Sequence, residues 1–219
     1  MTAAGDAALA GGPASAAYGG TVAIAAADLV LASASPRRSA LLAGIGVRFA
    51  VVPAQLDETP EPAELPRDYV ARLALAKARA VATATGGALP VLGADTTVVC
   101  DGRLLGKPAC EADAVAMLMA LSGRTHQVFT AVALVRGATA ASVLVETAVT
   151  FRELATAECR SYWRSGEPAD KAGGYALQGM GGIFVTRIEG SYSGVVGLPV
   201  AETYRLLRDF AIDCGLARV

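Results

Sequence analysis

Leu29-Val30-Leu31-Ala32-Ser33-Ala34-Ser35-Pro36-Arg37-Arg38 sets how the rest of the chain is read. Leu29 to Ser33 is a short apolar run of the kind a buried strand carries. Ser35-Pro36 then supplies an N-capping hydroxyl and a proline suited to the first helical position. The strand should therefore turn directly into a helix that runs through Leu41 and Leu42 and stops near Gly44 or Gly46. Such a junction offers unpaired N–H groups and the positive end of a helix dipole. Arg37 and Arg38 in the first turn are unfavourable there unless an anion arrives. A phosphate chain would satisfy both the N–H groups and the guanidinium forks. A capped helix with two solvated arginines is the plain alternative.

Outward from this junction, strands and helices are interspersed. Arg48 to Val52 reads as a strand, residues 53–66 as a loop rich in proline and acid, and Arg67 to Thr85 as a long helix. That helix places Val70, Leu73, Ala74, Lys77 and Ala78 near one face. Val91 to Cys100 is a strand, Asp101-Gly102 a tight turn, and Arg103 to Leu105 its return. Ala112 to Leu121 is helical, and Val128 to Val135 and Ser142 to Phe151 are strands joined through Gly137. A helix opens at Thr156, and residues 166–182 form a loop dense in glycine and charge. Phe184 to Ile188 is a strand, and Pro199 to Cys214 is the closing helix. This pattern predicts an α/β fold, a mixed twisted sheet with flanking helices. Residues 1–27 hold 12 Ala and 5 Gly without an apolar period, so they are expected to be a flexible extension, with residues 28–219 as one domain.

Composition removes several classes. With 219 residues and 53% hydrophobic content there is ample material for one core. A net charge of −1 argues against a nucleic-acid binder of the electrostatic kind. The single histidine, His126, excludes a multi-histidine metal site, and a structural or substrate-adjacent role is expected for it. The four cysteines lack CxxC spacing, so buried reduced thiols are expected. No run approaches 18 uninterrupted apolar residues, and no basic segment precedes Arg37, so neither a membrane span nor a signal peptide is expected. A cytoplasmic protein follows.

Two residue types stand out against this background. Asp95, in Gly93-Ala94-Asp95-Thr96, is a carboxylate within a strongly apolar strand, which is costly unless it is paired or functional. It either accepts structural hydrogen bonds or binds Mg²⁺ and activates water. Asp57-Glu58 can supply a further carboxylate to a cation that otherwise prefers substrate phosphates. The chain has 16 Arg but only three Lys, namely Lys77, Lys107 and Lys171. Lysines that persist against such a bias mark sites needing a compact, mobile charge, such as phosphate sites. Three ordinary surface lysines are the alternative.

Taken in order, these residues resemble the Maf family of nucleoside triphosphate pyrophosphatases. The resemblance rests on Ser33 to Arg38, Asp57-Glu58-Thr59, Arg72-Leu73-Ala74 with Lys77-Ala78, Gly93 to Thr96, and Gly106-Lys107-Pro108. It continues through Leu121-Ser122-Gly123, Asp170 to Gly173 with Tyr175, Gln178-Gly179, and Val195 to Pro199. It implies an ITPase-like fold of two lobes around a deep cleft, a divalent cation (Mg²⁺ or Mn²⁺) and a homodimer. The implied reaction cleaves a nucleoside triphosphate between its α- and β-phosphates. Asp95 matches the family's proton acceptor, and Glu58, Lys77, Lys107, Arg37 and Ser33 match residues of the catalytic pocket, with Arg38 beside them in the same motif. Asp95 and Glu58 are the implied metal ligands. Arg37, Thr96 and Gln178 resemble the dTTP/UTP branch, with modified pyrimidine triphosphates as further candidates; the 7-methyl-GTP branch tends to carry Trp, Gln and Glu at those positions. The competing expectation is a nucleotide-binding regulator of division or septum formation without significant turnover.

Overall fold

The structure, a computed structural model, describes residues 21–215. A seven-stranded sheet runs in the order β2-β1-β3-β5-β6-β7, with β4 paired to β3. Its strands are β1 (Leu29–Leu31), β2 (Phe49–Val51), β3 (Val91–Cys100), β4 (Arg103–Leu105), β5 (Thr125–Arg136), β6 (Thr139–Phe151) and β7 (Val185–Glu189). The helices are α1 (Pro36–Gly44), α2 (Pro66–Ala84), α3 (Glu111–Leu121), α4 (Thr156–Arg164), α5 (Tyr192–Val196) and α6 (Val200–Asp209). β1 is parallel to both β2 and β3, and the remaining pairs are antiparallel, so the sheet is mixed as expected.

β3 positions the site. One edge is paired to β5 along Val91 to Val99. The other edge is shared: β1 covers Val91 and Leu92, and β4 covers Val98 to Cys100. Between these two partners the edge around Asp95 and Thr96 is uncovered. β1 runs parallel to β3 and β4 antiparallel, so both point their C-terminal ends at this gap. Ser33 follows β1 into it, and Gly106-Lys107 follows β4.

The gap also falls between two lobes. Leu92 and Ala94 pack with Leu29, Phe49, Leu134 and α6, while Val91 packs under α2 with Val30, Val70 and Ala78. Further along the same strand, Val98 and Cys100 belong to a separate core with Leu118, Phe151, Tyr162 and Phe184. Asp95 to Thr97 lie where β3 leaves one core for the other.

Several expected boundaries move. Residues 1–20 of the expected extension lie outside the described residues, but Thr21 bridges Phe49, and Val22 N–H donates to the Phe49 carbonyl at 2.8 Å. Docking thus begins before Asp28, because β2 ends the sheet and offers a free edge. The closing helix stops at Asp209 instead of Cys214, since Ala211 adopts a left-handed φ of 53°. The expected loop at 166–182 contains three short 3₁₀ segments, the last of which extends to Phe184. Helix α5, capped by the Ser191 side chain, was not expected from the sequence.

Candidate active site

The gap in the edge of β3 opens into a cleft of about 470 Å³ that every expected site residue lines. Its floor is Asp95. Asp95 points to α2, where Lys77 Nζ donates to Oδ1 at 2.6 Å. The same ammonium lies 2.7 Å from Glu58 Oε1, so Lys77 bridges two carboxylates. Lys77 and Asp95 side chains are each only 10% exposed, whereas Glu58 is 48% exposed on the loop before α2. A lysine on the inner face of a helix is tolerated here because both acids neutralise it. Burial pushes the Asp95 carboxyl above its ordinary value, opposed by Lys77 and Arg38. That makes its carboxylate a better proton acceptor than a solvated one.

Glu58 is held by its loop. The Tyr69 hydroxyl donates to the Glu58 carbonyl at 2.9 Å, and Arg72 donates to the Thr59 carbonyl. Arg72 also grips Glu64 through Nε and an NH2 group, both at 2.6 Å. That contact holds the Glu64 carboxyl at about 2, well below its ordinary value.

Thr96 points to the opposite face of the sheet. Arg38 reaches it from α1 with NH2 at 3.3 Å, and also donates to Ser33 Oγ at 3.1 Å and to the Gly197 carbonyl at 2.8 Å. Thr130 Oγ1 lies 3.0 Å from Thr96 Oγ1 and 2.8 Å from the Gly194 carbonyl. The Thr130 hydroxyl donates towards both, its one proton shared between the Gly194 carbonyl and the Thr96 oxygen. Arg38 and Thr130 thus meet on the Thr96 hydroxyl, and Thr130 ties it to α5. Arg38 is therefore engaged by neutral acceptors from three segments. Burial holds its guanidinium below the ordinary arginine value, while the Asp95 charge pulls it back.

Arg37, one residue before Arg38, pairs across the cleft with Asp170 at 3.3 Å, and Lys171 pairs with the same carboxylate. Lys107 is exposed at the end of β4, and Gln178 is exposed on the opposite lobe, its amide without a hydrogen bond among the described residues. Ser33 is 7% exposed, and its Oγ also accepts from Ser35 N–H at 3.2 Å, which shapes the turn into α1. One wall of the cleft is Tyr175, whose hydroxyl contacts His126 Nε2 at 2.8 Å. His126 itself is fully buried behind that wall, packed edge-on against Phe151 and Tyr175, and does not line the cleft.

A model of the family described as Maf-like protein matches residues 28–210. The chain belongs to the Maf family. Relatives named dTTP/UTP pyrophosphatase include that of Saccharophagus degradans, 54% identical over 189 residues, covering 85% of this chain and 90% of the relative. Those of Hahella chejuensis and Vibrio parahaemolyticus are 53% and 52% identical, covering 84% of this chain each and 92% and 97% of the relatives. A solved structure described as a nucleoside-triphosphatase / dITP/XTP pyrophosphatase from Mycobacterium abscessus is similar to 57% of this chain and 75% of its own, at a TM-score of 0.39 and 23% identity.

Within this Maf chain, the sequence alone does not single out Tyr69, Thr130 or Glu167, and it marks Asp170 only as part of a motif, without its pairing to Arg37. Tyr69 had a signal, since it lies two turns before Lys77 on the same helix. Thr130 had none, because only the register that sets it opposite Thr96 reveals its place.

Proposed function

We infer that this chain hydrolyses dTTP and UTP to the nucleoside monophosphate and pyrophosphate. The observation that carries this reading is the buried Lys77 bridge between Asp95 and Glu58, set at an open strand edge beside the N-terminus of α1. The names of its relatives support it. In the reaction, water attacks the α–β phosphate linkage. A P–O bond to the water oxygen forms, the bond to the bridging oxygen breaks, and pyrophosphate leaves. Asp95 takes the proton from the water. The Arg37 N–H in the first turn of α1, with the Arg37 and Lys107 side chains, binds the phosphate chain, and Lys77 holds Asp95 and Glu58 in place.

A divalent cation fits the donor set. Lys77 engages Oδ1 of Asp95 and Oε1 of Glu58, which leaves each carboxylate a second oxygen. Among the described residues no cluster of three or more His, Cys, Asp or Glu side chains is placed to hold a metal. One or two carboxylates with the remainder from substrate phosphates is the arrangement Mg²⁺ or Mn²⁺ accepts. Bound by Asp95 and Glu58, the cation would supply charge stabilisation for the leaving pyrophosphate and a lowered water pKa.

A pyrimidine-2,4-dione edge offers acceptor, donor, acceptor. The Gln178 amide complements part of it with both a donor and an acceptor, Thr96 adds a hydroxyl able to donate or accept, and the Arg37 guanidinium donates to a base carbonyl or to a phosphate oxygen. Cytosine replaces an acceptor with an amino donor, so dTTP and UTP should be preferred over CTP, and modified uracils with an intact dione edge remain substrates. An unpaired buried group costs about 1–3 kcal/mol, or roughly 10- to 100-fold per mismatch. This reading also takes the working form as a cytoplasmic homodimer; among the described residues no helix is long and apolar enough to cross a membrane. The test is kcat/KM for dTTP, UTP, CTP, ATP and GTP on wild type and Gln178→Glu. The dione preference should weaken in the variant, and an unchanged ranking would exclude Gln178 as the base reader. Absence of turnover with all five would favour the regulator.

A further inference from the structure

Glu167 has no part in the reaction above, yet its side chain is the centre of a network around Gln178. It opens the 3₁₀ turn after α4. Oε2 accepts from Met180 N–H at 3.0 Å, and Oε1 accepts from Gly181 N–H at 3.0 Å and from the Tyr162 hydroxyl at 2.6 Å. The Tyr162 hydroxyl, its proton given to Glu167, accepts from Ala176 N–H at 3.0 Å. One carboxylate and one phenol thus hold the N–H groups of residues 176, 180 and 181, which bracket Gln178 on both sides.

The glycines fit this network. A Cβ at Gly179 would stand 2.6 Å from Glu167 Cδ, and one at Gly181 would stand 2.6 Å from the Tyr162 hydroxyl. The loop can wrap the carboxylate only because both positions lack a side chain. Burial alone would raise the Glu167 carboxyl, but the donors from Tyr162, Gly181 and Met180 outweigh it and keep it below its ordinary value. Behind the loop, Tyr162 stacks edge-on against Phe184 in the second core, so the anchor is itself rigid. The Glu167 carbonyl accepts from Lys171 Nζ at 3.0 Å, which ties the same turn to the cleft wall.

We propose that Glu167, together with Tyr162, is a positioning residue for base selection, fixing the 176–181 segment so that the Gln178 amide meets the base edge at one distance and orientation. This rests on the reading of Gln178 as the base reader. A side chain on a loop pinned on both sides discriminates edges; one on a loop free to shift by an ångström accommodates the wrong edge as well as the right one.

The experiment compares kcat/KM for UTP and CTP on wild type, Glu167→Gln, Tyr162→Phe, Gln178→Ala and the Glu167→Gln/Gln178→Ala double variant. Glu167→Gln turns one acceptor oxygen into a donor facing a loop N–H, and Tyr162→Phe removes the link to Ala176. The UTP:CTP ratio should fall roughly tenfold in each single variant, chiefly through the KM for UTP. The double variant should match Gln178→Ala alone. A Gln178→Ala ratio equal to wild type would overturn the base-reading and this proposal with it. A changed ratio in Gln178→Ala with unchanged ratios in Glu167→Gln and Tyr162→Phe would overturn the positioning role alone, as would an equal loss of kcat on both nucleotides. Hydrogen exchange on the unmodified protein gives a second reading that no folding defect can obscure. The amides of Ala176, Met180 and Gly181 should exchange slowly, and fast exchange at Met180 and Gly181 would overturn the proposal.

Discussion

Lys77 and Asp95, eighteen residues apart, form a 2.6 Å ion pair between two side chains that are nine-tenths buried. The pair is held on one side by α2 and on the other by the uncovered stretch of β3, so its geometry is set by how closely helix and strand approach. Replacing Asp95 by Asn should lower kcat by about 10²–10⁴-fold, the usual loss when a general base is removed, while circular dichroism stays native. Lys77→Arg should fail to restore activity, with kcat/KM down about 100-fold, because a planar guanidinium needs more room than the ammonium between Asp95 and Glu58. Near-wild-type rates in Lys77→Arg would show that charge alone suffices.

Gly93 is what allows the close approach. A Cβ there would stand 2.7 Å from Ala78 N and closer still to the Ala74 carbonyl, both of them α2 backbone atoms that cannot swing aside. Gly93→Ala should therefore push α2 off β3, destabilise the protein by about 1–3 kcal/mol and separate Lys77 from Asp95. Chemical denaturation and an activity assay check this. Unchanged midpoint and rate would mean that α2 does not seat so tightly.

His126 provides a single, unambiguous probe, since the chain has no other histidine. Burial lowers its value from 6.5 to about 4. Between those values the unfolded chain binds the proton and the folded one does not. The stability is therefore full above pH 6.5 and declines as pH falls towards 4, by an amount on the order of 3 kcal/mol. The ring resonance in an NMR titration should move near pH 4. His126→Gln, which keeps a partner for the Tyr175 hydroxyl, should flatten the Tm profile between pH 4 and 6.5. Equal slopes in both proteins would contradict this account of the buried imidazole.

Arg72 and Glu64 brace the loop that carries Glu58. The Glu64 carboxyl should titrate at about 2 in a carboxyl NMR experiment, and Arg72→Gln should return it towards 4.5. A depressed carboxyl stabilises above its unfolded value, so the brace is complete above about pH 4.5 and is lost as pH falls towards 2. Arg72→Gln should also reduce kcat/KM at neutral pH by loosening Glu58. A Glu64 midpoint near 4.5 in wild type would mean that the brace does not form.

The local signals in the chain were strong where a residue type settles the backbone by itself. β3 runs from Val91 to Cys100 as its apolar run predicts, and the Asp101-Gly102 turn follows with positive φ at both residues. The Ser35 cap and Pro36 start α1 where expected, with Ser35 Oγ accepting from Arg38 N–H. What was not legible depends on contacts between distant segments. Nothing local shows that Thr130 falls opposite Thr96, that Gly197 accepts from Arg38, or that Glu167 reaches residues 180 and 181. Helix α5 was missed because five residues are too few for an apolar period, although Ser191 was a visible cap.

The most direct test follows the products of UTP hydrolysis by ³¹P NMR in the presence of Mg²⁺, with wild type and Asp95→Asn side by side. Wild type should give UMP and pyrophosphate in equal amounts with no early orthophosphate, and Asp95→Asn should give neither at a comparable rate. UDP and orthophosphate as first products, or full turnover in Asp95→Asn, would contradict cleavage of the α–β linkage by water that Asp95 activates.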